Sequence, residues 1–195
     1  VDEQAACVAV LRPAAVVDAI LAKRNLGTSR DMAPITVGLG PGFTAGEDVD
    51  AVVETMRGHH LGRVILQGAA IPNTGVPGVI AGYAAERVIH APASGEMTFV
   101  QDENGQIVDI GALVQKGQVI GRVGGTPVLA TIDGVLRGLI REGYPVNEGL
   151  KIADIDPRPE QTAYCDTISD KARAIGGGVV EALLYLAMGK NIILL

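Results

Sequence analysis

The sequence predicts an α/β protein in two parts, a parallel βαβ part and a small β-barrel sandwich. Strand and helix patterns alternate in the first third of the chain, which is typical of a parallel sheet. From residue 87 to residue 156 the pattern changes to short strands separated by glycine turns. The 195 residues include 26 glycines but only two phenylalanines and no tryptophan, so aliphatic residues must form the core. We assign 1–85 and 160–195 to the α/β part and 86–159 to the barrel sandwich.

The α/β part begins with two short elements. Asp2 precedes a predicted short helix over residues 3–11 and is a suitable cap. Residues 15–21 suit a strand, with a helix over 14–24 as the competing interpretation, because apolar runs this short fit either element.

A strand–helix–strand unit follows. Residues 35–39 are uniformly apolar or small and suit a buried strand. Residues 47–57 place apolar side chains at helical spacing, and residues 63–66 return as a strand. A strand, a helix and a strand within about 30 residues predict a parallel, Rossmann-like pair. A connector rich in proline and glycine occupies 68–82.

The barrel segment contains an internal repeat. Five positions recur at a constant offset of 32, and residues 91–95 recur at 130–134 with an offset of 39. The five pairs are Gly111 and Gly143, Val114 and Val146, Gly117 and Gly149, Ile120 and Ile152, and Val123 and Ile155. Two intertwined halves of this kind form a small barrel that resembles the biotinyl/lipoyl family. Carrier domains of that family have a lysine at the hairpin tip, whereas the tip here, 123–127, has none. The resemblance therefore implies a scaffold or docking surface rather than a swinging arm.

The chain ends with a predicted helix that contains three consecutive glycines. Thr167 or Ser169 is a suitable cap. Gly176, Gly177 and Gly178 are unfavourable inside a helix, at about 1 kcal/mol each relative to alanine. Either the helix begins only after them and they form a ligand-facing turn, or another backbone packs against them.

Composition excludes several classes of partner. A net charge of −6 and a pI near 5.0 argue against a nucleic-acid groove, and no basic run favours a membrane surface. The apolar stretch 179–186 is too short to span a bilayer. Two cysteines give no disulfide framework, which fits the reducing cytoplasm. With three histidines in all, no metal site is predicted. The first residue is Val rather than Met, so we expect a fragment or a processed chain.

The glycine-rich segment 40–46 is the first candidate site. It lies between a predicted strand and a predicted helix, where backbone amides and a helix N-terminus bind anions. Gly40, Gly42 and Gly46 allow close approach of a phosphate or carboxylate, and Thr44 adds a hydroxyl donor. The alternative is a tight turn without a ligand.

The long polar loop before residue 35 supplies further candidates. Lys23 and Asn25 lie in it, and loops of about a dozen residues in compact domains are often functional. We predict that both residues contact the cofactor, with a solvated loop as the alternative.

Cys165 is the candidate catalytic residue. A thiol just before a helix cap and close to a lysine acquires a lower pKa and can serve as a nucleophile or chalcogen carrier. Asp166 and Asp170 act against that effect. The alternative is a small buried thiol.

Six stretches, taken together, resemble one family. They are residues 39–49, 54–63, 72–78, 137–143, 152–158 and 167–173. They are similar to the YqeB-type accessory proteins of the selenium-dependent molybdenum hydroxylase system, and the resemblance extends from about residue 17 to residue 184. Members of that family usually have an upstream nucleotide-binding-like segment, which this chain lacks.

The resemblance implies a cytoplasmic accessory protein in maturation of selenium-dependent molybdenum hydroxylases, which binds a cofactor precursor or delivers selenium. It implies a nucleotide or molybdenum cofactor precursor as ligand, and the hydroxylase or its maturation machinery as partner. A homo-oligomer is compatible with the sequence. Two other classes stay open: a non-enzymatic docking module, and a nucleotide-dependent transferase. Whether the chain is an enzyme is left undecided.

Overall fold

The computed structural model describes residues 2–75 and 78–193. The protein is mixed α/β, mostly strands with few helices, and its sheets are not closed into barrels. It divides into two compact units, Val1–Thr74 with Ile168–Leu195, and Gly75–Thr167. The predicted connector 68–82 includes Val76 and Pro77, which lie outside the described residues.

The first unit combines a four-stranded sheet, a two-stranded sheet and one long helix. Its elements are α1 (Cys7–Leu11), β1 (Ala15–Asp18), β2 (Ile35–Leu39), β3 (Thr44–Ala45), β4 (Ala51–Val53), β5 (Val64–Ile65), β6 (Gly68–Ala69) and α2 (Asp170–Lys190). The order of the four-stranded sheet is β1-β2-β4-β5, in which the first three strands are parallel and β5 is antiparallel. β3 and β6 form the antiparallel two-stranded sheet. Strands β1, β2 and β5 confirm the predicted strands at 15–21, 35–39 and 63–66, with shorter limits for β1 and β5.

The predicted helix over 47–57 is wrong. Those residues form a turn followed by β4, so the parallel pair β2 and β4 is joined without a helix. Val52 and Val53 are fully buried in the sheet, and β-branched side chains suit that environment. Asp50 also fixes the start of β4, because its amide and carboxylate both bond to Thr36 on β2. Tertiary pairing therefore overrides the helical spacing.

Helix α2 covers one face of this sheet. Ile175, Ala182 and Ala187 are buried against residues of β2 and β4. Ser169 caps the helix, as predicted, by accepting a hydrogen bond from the amide of Ala172 at 3.1 Å.

Helix α2 runs continuously through the three glycines. A Cβ atom at position 178 would overlap the carbonyl oxygen of Gly62, so a second backbone packs there. Of the two explanations given for these glycines, the structure therefore confirms that another backbone packs against them, at Gly178. Among residues 2–75 and 78–193, α2 is also the one helix long and apolar enough to cross a membrane. A single such helix, with one face packed on a sheet, is weak evidence of a span.

The second unit consists of short antiparallel strands and two 3₁₀ helices, Ala85–Arg87 and Pro159–Tyr164. The strands are β7 (Val88–His90), β8 (Gly95–Thr98), β9 (Leu113–Val114), β10 (Val119–Val123), β11 (Thr126–Leu129), β12 (Gly134–Leu139), β13 (Pro145–Val146) and β14 (Lys151–Asp156). They form two four-stranded sheets, β11-β10-β8-β13 and β7-β14-β12-β9, which share one aliphatic core.

The internal repeat is visible in the backbone of this unit. Gly95 and Gly134, which correspond at an offset of 39, have φ angles of 152° and 153°. Equivalent hydrogen bonds also recur: the amide of Gly111 donates to Leu136, and that of Gly143 donates to Met97. Each half therefore contributes a strand to the other half's sheet.

Candidate ligand site at the carboxyl ends of the parallel strands

The three parallel strands end at one edge of the first unit's sheet. Asp18 pairs with Gly38, and Leu39 pairs with Val53, so the ends of β1, β2 and β4 are level. The segments that follow these strands, 19–28, 40–44 and 54–57, therefore begin at the same edge. We call this edge the carboxyl edge. In open α/β sheets this is where ligands bind.

Asp18 and Asn25 hold the first of these segments in shape. The Asp18 carboxylate accepts hydrogen bonds from the Ile20 amide at 3.0 Å and the Thr28 hydroxyl at 2.6 Å. The Asn25 side chain accepts from two backbone amides and donates to the Thr28 carbonyl at 2.8 Å. Asn25, predicted as a cofactor contact, has its side-chain oxygen and nitrogen engaged within its own loop.

Lys23 lies at the turn of that loop in a left-handed conformation. Its φ is 63°, which is costly for a residue with a side chain. Such conformations persist where the surroundings enforce them, and they cluster at functional sites. Its ammonium makes no ion pair or hydrogen bond with any residue that the structure describes.

Two of the predicted glycines bring the three segments together. Gly42 has a φ of 113°, and a Cβ atom there would lie 2.6 Å from the Cα atom of Arg24. Gly40 has a φ of 76°, and a Cβ atom there would overlap the Thr55 hydroxyl. Any side chain at either position would separate the segments. The structure therefore places the predicted residues Gly40, Gly42 and Lys23 in one neighbourhood.

Three backbone amides of the glycine-rich segment donate hydrogen bonds within the protein. The amide of Gly40 donates to Val53 at 2.8 Å, and the amide of Gly46 donates to Val49 at 2.8 Å. The amide of Thr44 donates to the Asp48 carboxylate at 2.8 Å. The helix expected to begin after this segment is absent, so the predicted helix N-terminus is wrong here. An anion at this edge must instead be met mainly by side chains.

Glu54 is a buried carboxylate at this edge that sequence reasoning missed. Its side chain accepts from the amides of Thr55 at 2.8 Å, Met56 at 2.7 Å and Ile71 at 2.8 Å. Glu54 is 2% exposed, so its role is to fix the backbone that leaves β4. In the sequence Glu54 falls inside the predicted helix over 47–57, where a single acidic residue carries no signal for that role.

Arg57 joins the end of β4 to the first turn of α2. Its guanidinium makes two hydrogen bonds of 2.8 Å to the Asp170 carboxylate. The charge-assisted pair holds the pKa of Asp170 well below its ordinary value. It also places the next residue, Lys171, at the carboxyl edge.

Lys171 is a second unpaired cation, and sequence reasoning did not single it out. Its ammonium makes no ion pair or hydrogen bond within residues 2–75 and 78–193. Burial lowers the pKa of Lys171 most, and the neighbouring charges of Lys23 and Arg57 lower it further. Glu54 acts in the opposite direction. Lys171 therefore lies near enough to Lys23 and Arg57 for their positive charges to act on it.

The opposite edge of the sheet is closed by its own ion cluster. Asp50 accepts from Arg30 at 2.9 Å and from Lys190 at 2.9 Å. Burial alone would raise the pKa of Asp50, but bonds from Lys190, the Thr36 amide and Arg30 outweigh it, and the pKa is lowered. These cations therefore already have a partner and serve the fold.

Cys165 lies in the second unit, directly after the 3₁₀ helix Pro159–Tyr164. Its thiol is half-buried and faces the carbonyl of Gln161, with Sγ at 3.6 Å from the oxygen. Helix α2 begins only at Asp170, so the thiol is not in the first turn of that helix. The carrier role of Cys165 stays a prediction.

No family model matches the chain. The chain is similar to "Uncharacterized protein YqeB" of Escherichia coli (strain K12), with 54% identity over 186 residues that make up 95% of this chain. This similarity supports a YqeB-like family. The chain spans about a third of that relative's length, 33%.

Proposed function

We propose that the chain is part of an accessory protein that matures selenium-dependent molybdenum hydroxylases in the cytoplasm. Its role in that process is to bind an anionic cofactor precursor at the carboxyl edge. The six stretches of sequence that resemble the YqeB-type proteins support the pathway, and the 54% identity to a protein of that name supports the family.

One observation supports the binding role above the others. Lys23 and Lys171, both without a carboxylate partner among the described residues, come to the same edge of a parallel sheet. Three of the stretches that carry the resemblance, 39–49, 54–63 and 167–173, also meet at this edge through the contacts of Gly40 with Thr55 and of Arg57 with Asp170.

The residues at this edge fit a phosphate-bearing nucleotide or molybdenum cofactor precursor. Lys23 and Lys171 would meet its negative charge, since lysine is an established phosphate binder. Gly40 and Gly42 would keep the three segments close enough to act on one group, and Thr44 adds a hydroxyl. Such a precursor supplies the molybdenum ligand chemistry, while this chain binds and orients it. Selenium is the second cargo in this proposal, with Cys165 as its carrier.

The second unit is, in this proposal, a barrel-sandwich docking module. Matched φ angles at Gly95 and Gly134, and equivalent hydrogen bonds in the two halves, support a duplicated barrel. The hairpin tip between β10 and β11 carries Gly124 and Gly125 and no lysine, so it offers no attachment amine. The target hydroxylase or its maturation machinery is the proposed partner.

The pathway is tested by hydroxylase activity in cells that lack the gene for the protein. We expect loss of selenium-dependent hydroxylase activity, and rescue by the wild-type gene. A double variant, Lys23→Gln with Lys171→Gln, should rescue poorly. Arg12→Gln, which removes an exposed positive charge of the first unit before β1, should rescue fully. Full hydroxylase activity without the gene would overturn the proposed function.

A further inference from the structure

We propose that the second unit has a ligand site of its own, an open cavity between β12 and β14 that binds a small carboxylate with an apolar body. The cavity has a volume of about 380 Å³ and is lined by residues 137–140, at the end of β12, and residues 151–154 of β14. This site goes beyond the proposed function, which gives the second unit a docking role only, and it does not depend on the carboxyl edge.

The cavity lies where the two halves of the internal repeat differ. In the first half, β8 pairs with β10 only at Met97 and Thr98. In the second half, β12 continues past the equivalent point to Leu139, and its register with β14 shifts at Arg137 in a β-bulge. Bulges re-aim side chains and are over-represented next to active sites. The duplication therefore does not explain this bulge, which places Arg137 on the wall of a cavity.

The guanidinium of Arg137 has donors left for a ligand. Its Nη1 donates to the buried Asp156 carboxylate at 3.3 Å, but Asp156 also accepts from the amide, Nε and Nη2 of Arg158 at 3.1, 2.9 and 2.9 Å. Nε and Nη2 of Arg137 make no hydrogen bond within residues 2–75 and 78–193. Together they form a planar fork that matches a carboxylate in a bidentate pair.

Lys151 is a second weakly engaged cation on the cavity wall. Its ammonium lies 3.9 Å from the Asp154 carboxylate, which is too far for a hydrogen bond. Asp154 instead accepts from Nη2 of the buried Arg87 at 3.2 and 3.4 Å. The two carboxylates Asp154 and Asp156 are thus shared among four cations, Arg87, Arg137, Lys151 and Arg158. This excess of positive charge favours an anion, while Asp154 on the same wall repels a dianion more than it repels a monoanion.

The rest of the lining is apolar and belongs to the core of the unit. It consists of Leu139, Ile140, Ile152 and Ala153. These side chains offer a ligand aliphatic atoms rather than hydrogen bonds, as is usual in small-molecule sites. Gly138 keeps the space open. It lies opposite Asp154 across the strand pair, and a Cβ atom there would make an ordinary contact of 3.7 Å with the Asp154 Cβ atom. A larger side chain at 138 therefore fits the strand and occupies the cavity.

NMR titration of the full chain with phenylacetate tests the site. We expect saturable amide shifts at 137–140 and 151–154 with a Kd of about 1–10 mM, which suits a ligand of this size. Acetate, which lacks the apolar body, and phenylacetamide, which lacks the charge, should bind about tenfold more weakly.

Matched variants separate the charge from the cavity. Arg137→Gln should weaken phenylacetate binding by about tenfold, the usual effect of losing a charged hydrogen bond. Arg122→Gln, which removes an exposed arginine from β10 in the other half of the repeat, should leave binding unchanged. Gly138→Val should abolish binding without removing any charge, and valine suits a strand, so this variant tests the site even if Arg137→Gln folds poorly.

Several outcomes would overturn the assignment. These are no saturable shifts in the wild type, equal losses in Arg122→Gln and Arg137→Gln, unchanged binding by Gly138→Val, or equal affinity for phenylacetate and either control compound. Tighter binding of an N-acetylated tripeptide that ends in phenylalanine would show that the site takes a chain terminus rather than a free acid. Hydroxylase activity in cells that lack the gene tests the proposed function separately, so either can fail without the other.

Discussion

The three glycines of α2 allow one substitution to be compared at adjacent positions. Gly176 and Gly177 are exposed, and a Cβ atom at either would meet no other atom within 4 Å. Alanine at these positions should stabilise the first unit by about 1 kcal/mol each, because glycine is the poorer helix former. At Gly178 the same substitution should destabilise it.

The magnitude at Gly178 follows from what surrounds it. A Cβ atom there would overlap the Gly62 carbonyl oxygen and lie 2.9 Å from a Val53 methyl carbon. The carbonyl is backbone and cannot rotate away, so overpacking should cost about 1–3 kcal/mol. After subtraction of the helix-propensity gain of about 1 kcal/mol, we expect a net loss of up to about 2 kcal/mol.

Urea unfolding followed by circular dichroism at 222 nm measures the effect. α2 is the longer of the two α-helices among the described residues, so its signal reports on the first unit. The midpoint should rise for Gly176→Ala and Gly177→Ala and fall for Gly178→Ala, with an unchanged slope. If Gly178→Ala were as stabilising as Gly177→Ala, the packing of α2 on the Gly62 segment would be refuted.

Three further predictions concern single side chains. Asp50→Asn should destabilise the protein by about 1–3 kcal/mol at pH 7, because the cations of Arg30 and Lys190 lose their carboxylate. The control in denaturant unfolding is Asp166→Asn at an exposed position, and equal stability of the two variants would contradict the prediction. Asp156 is buried, and Arg158 lowers the pKa of its carboxyl from 3.8 to about 2. Because that pKa is depressed in the folded state, the ionised carboxylate contributes about 2 kcal/mol to the free energy of unfolding above pH 5, and this contribution declines as the pH falls towards 2. Asp156→Asn should flatten this acid dependence of stability, and an unchanged dependence of stability on pH would refute the prediction. Cys165→Ala should abolish selenium incorporation into the hydroxylase, measured by selenium content of the purified enzyme, and normal incorporation would end the carrier hypothesis.

The strands that follow from local pattern were predicted correctly, whereas the helix predicted for the βαβ unit does not form. Residues 35–39 are apolar or small without interruption, and a run of that length favours a buried strand. Val49, Val52, Val53 and Met56 have helical spacing, yet β4 forms because Val52 and Val53 pair with both β2 and β5. The pairing partners are distant in sequence, so the local pattern could not reveal them.

The candidate site was predicted only in part for the same reason. Gly40, Gly42 and Lys23 were found from their loops, and the structure brings them together. Lys171 is brought to the carboxyl edge by the bond between Arg57 and Asp170, which are 113 residues apart. A lone lysine in a helical first turn carries no sign of that neighbourhood.

A crystal structure of the full chain soaked with tungstate tests the central claim most directly, since this heavy anion marks a phosphate site by its anomalous signal. The account predicts one tungstate ion between the ammonium groups of Lys23 and Lys171, close to Gly42. A tungstate-free carboxyl edge, with Lys23 and Lys171 apart or each paired to a carboxylate, would contradict it.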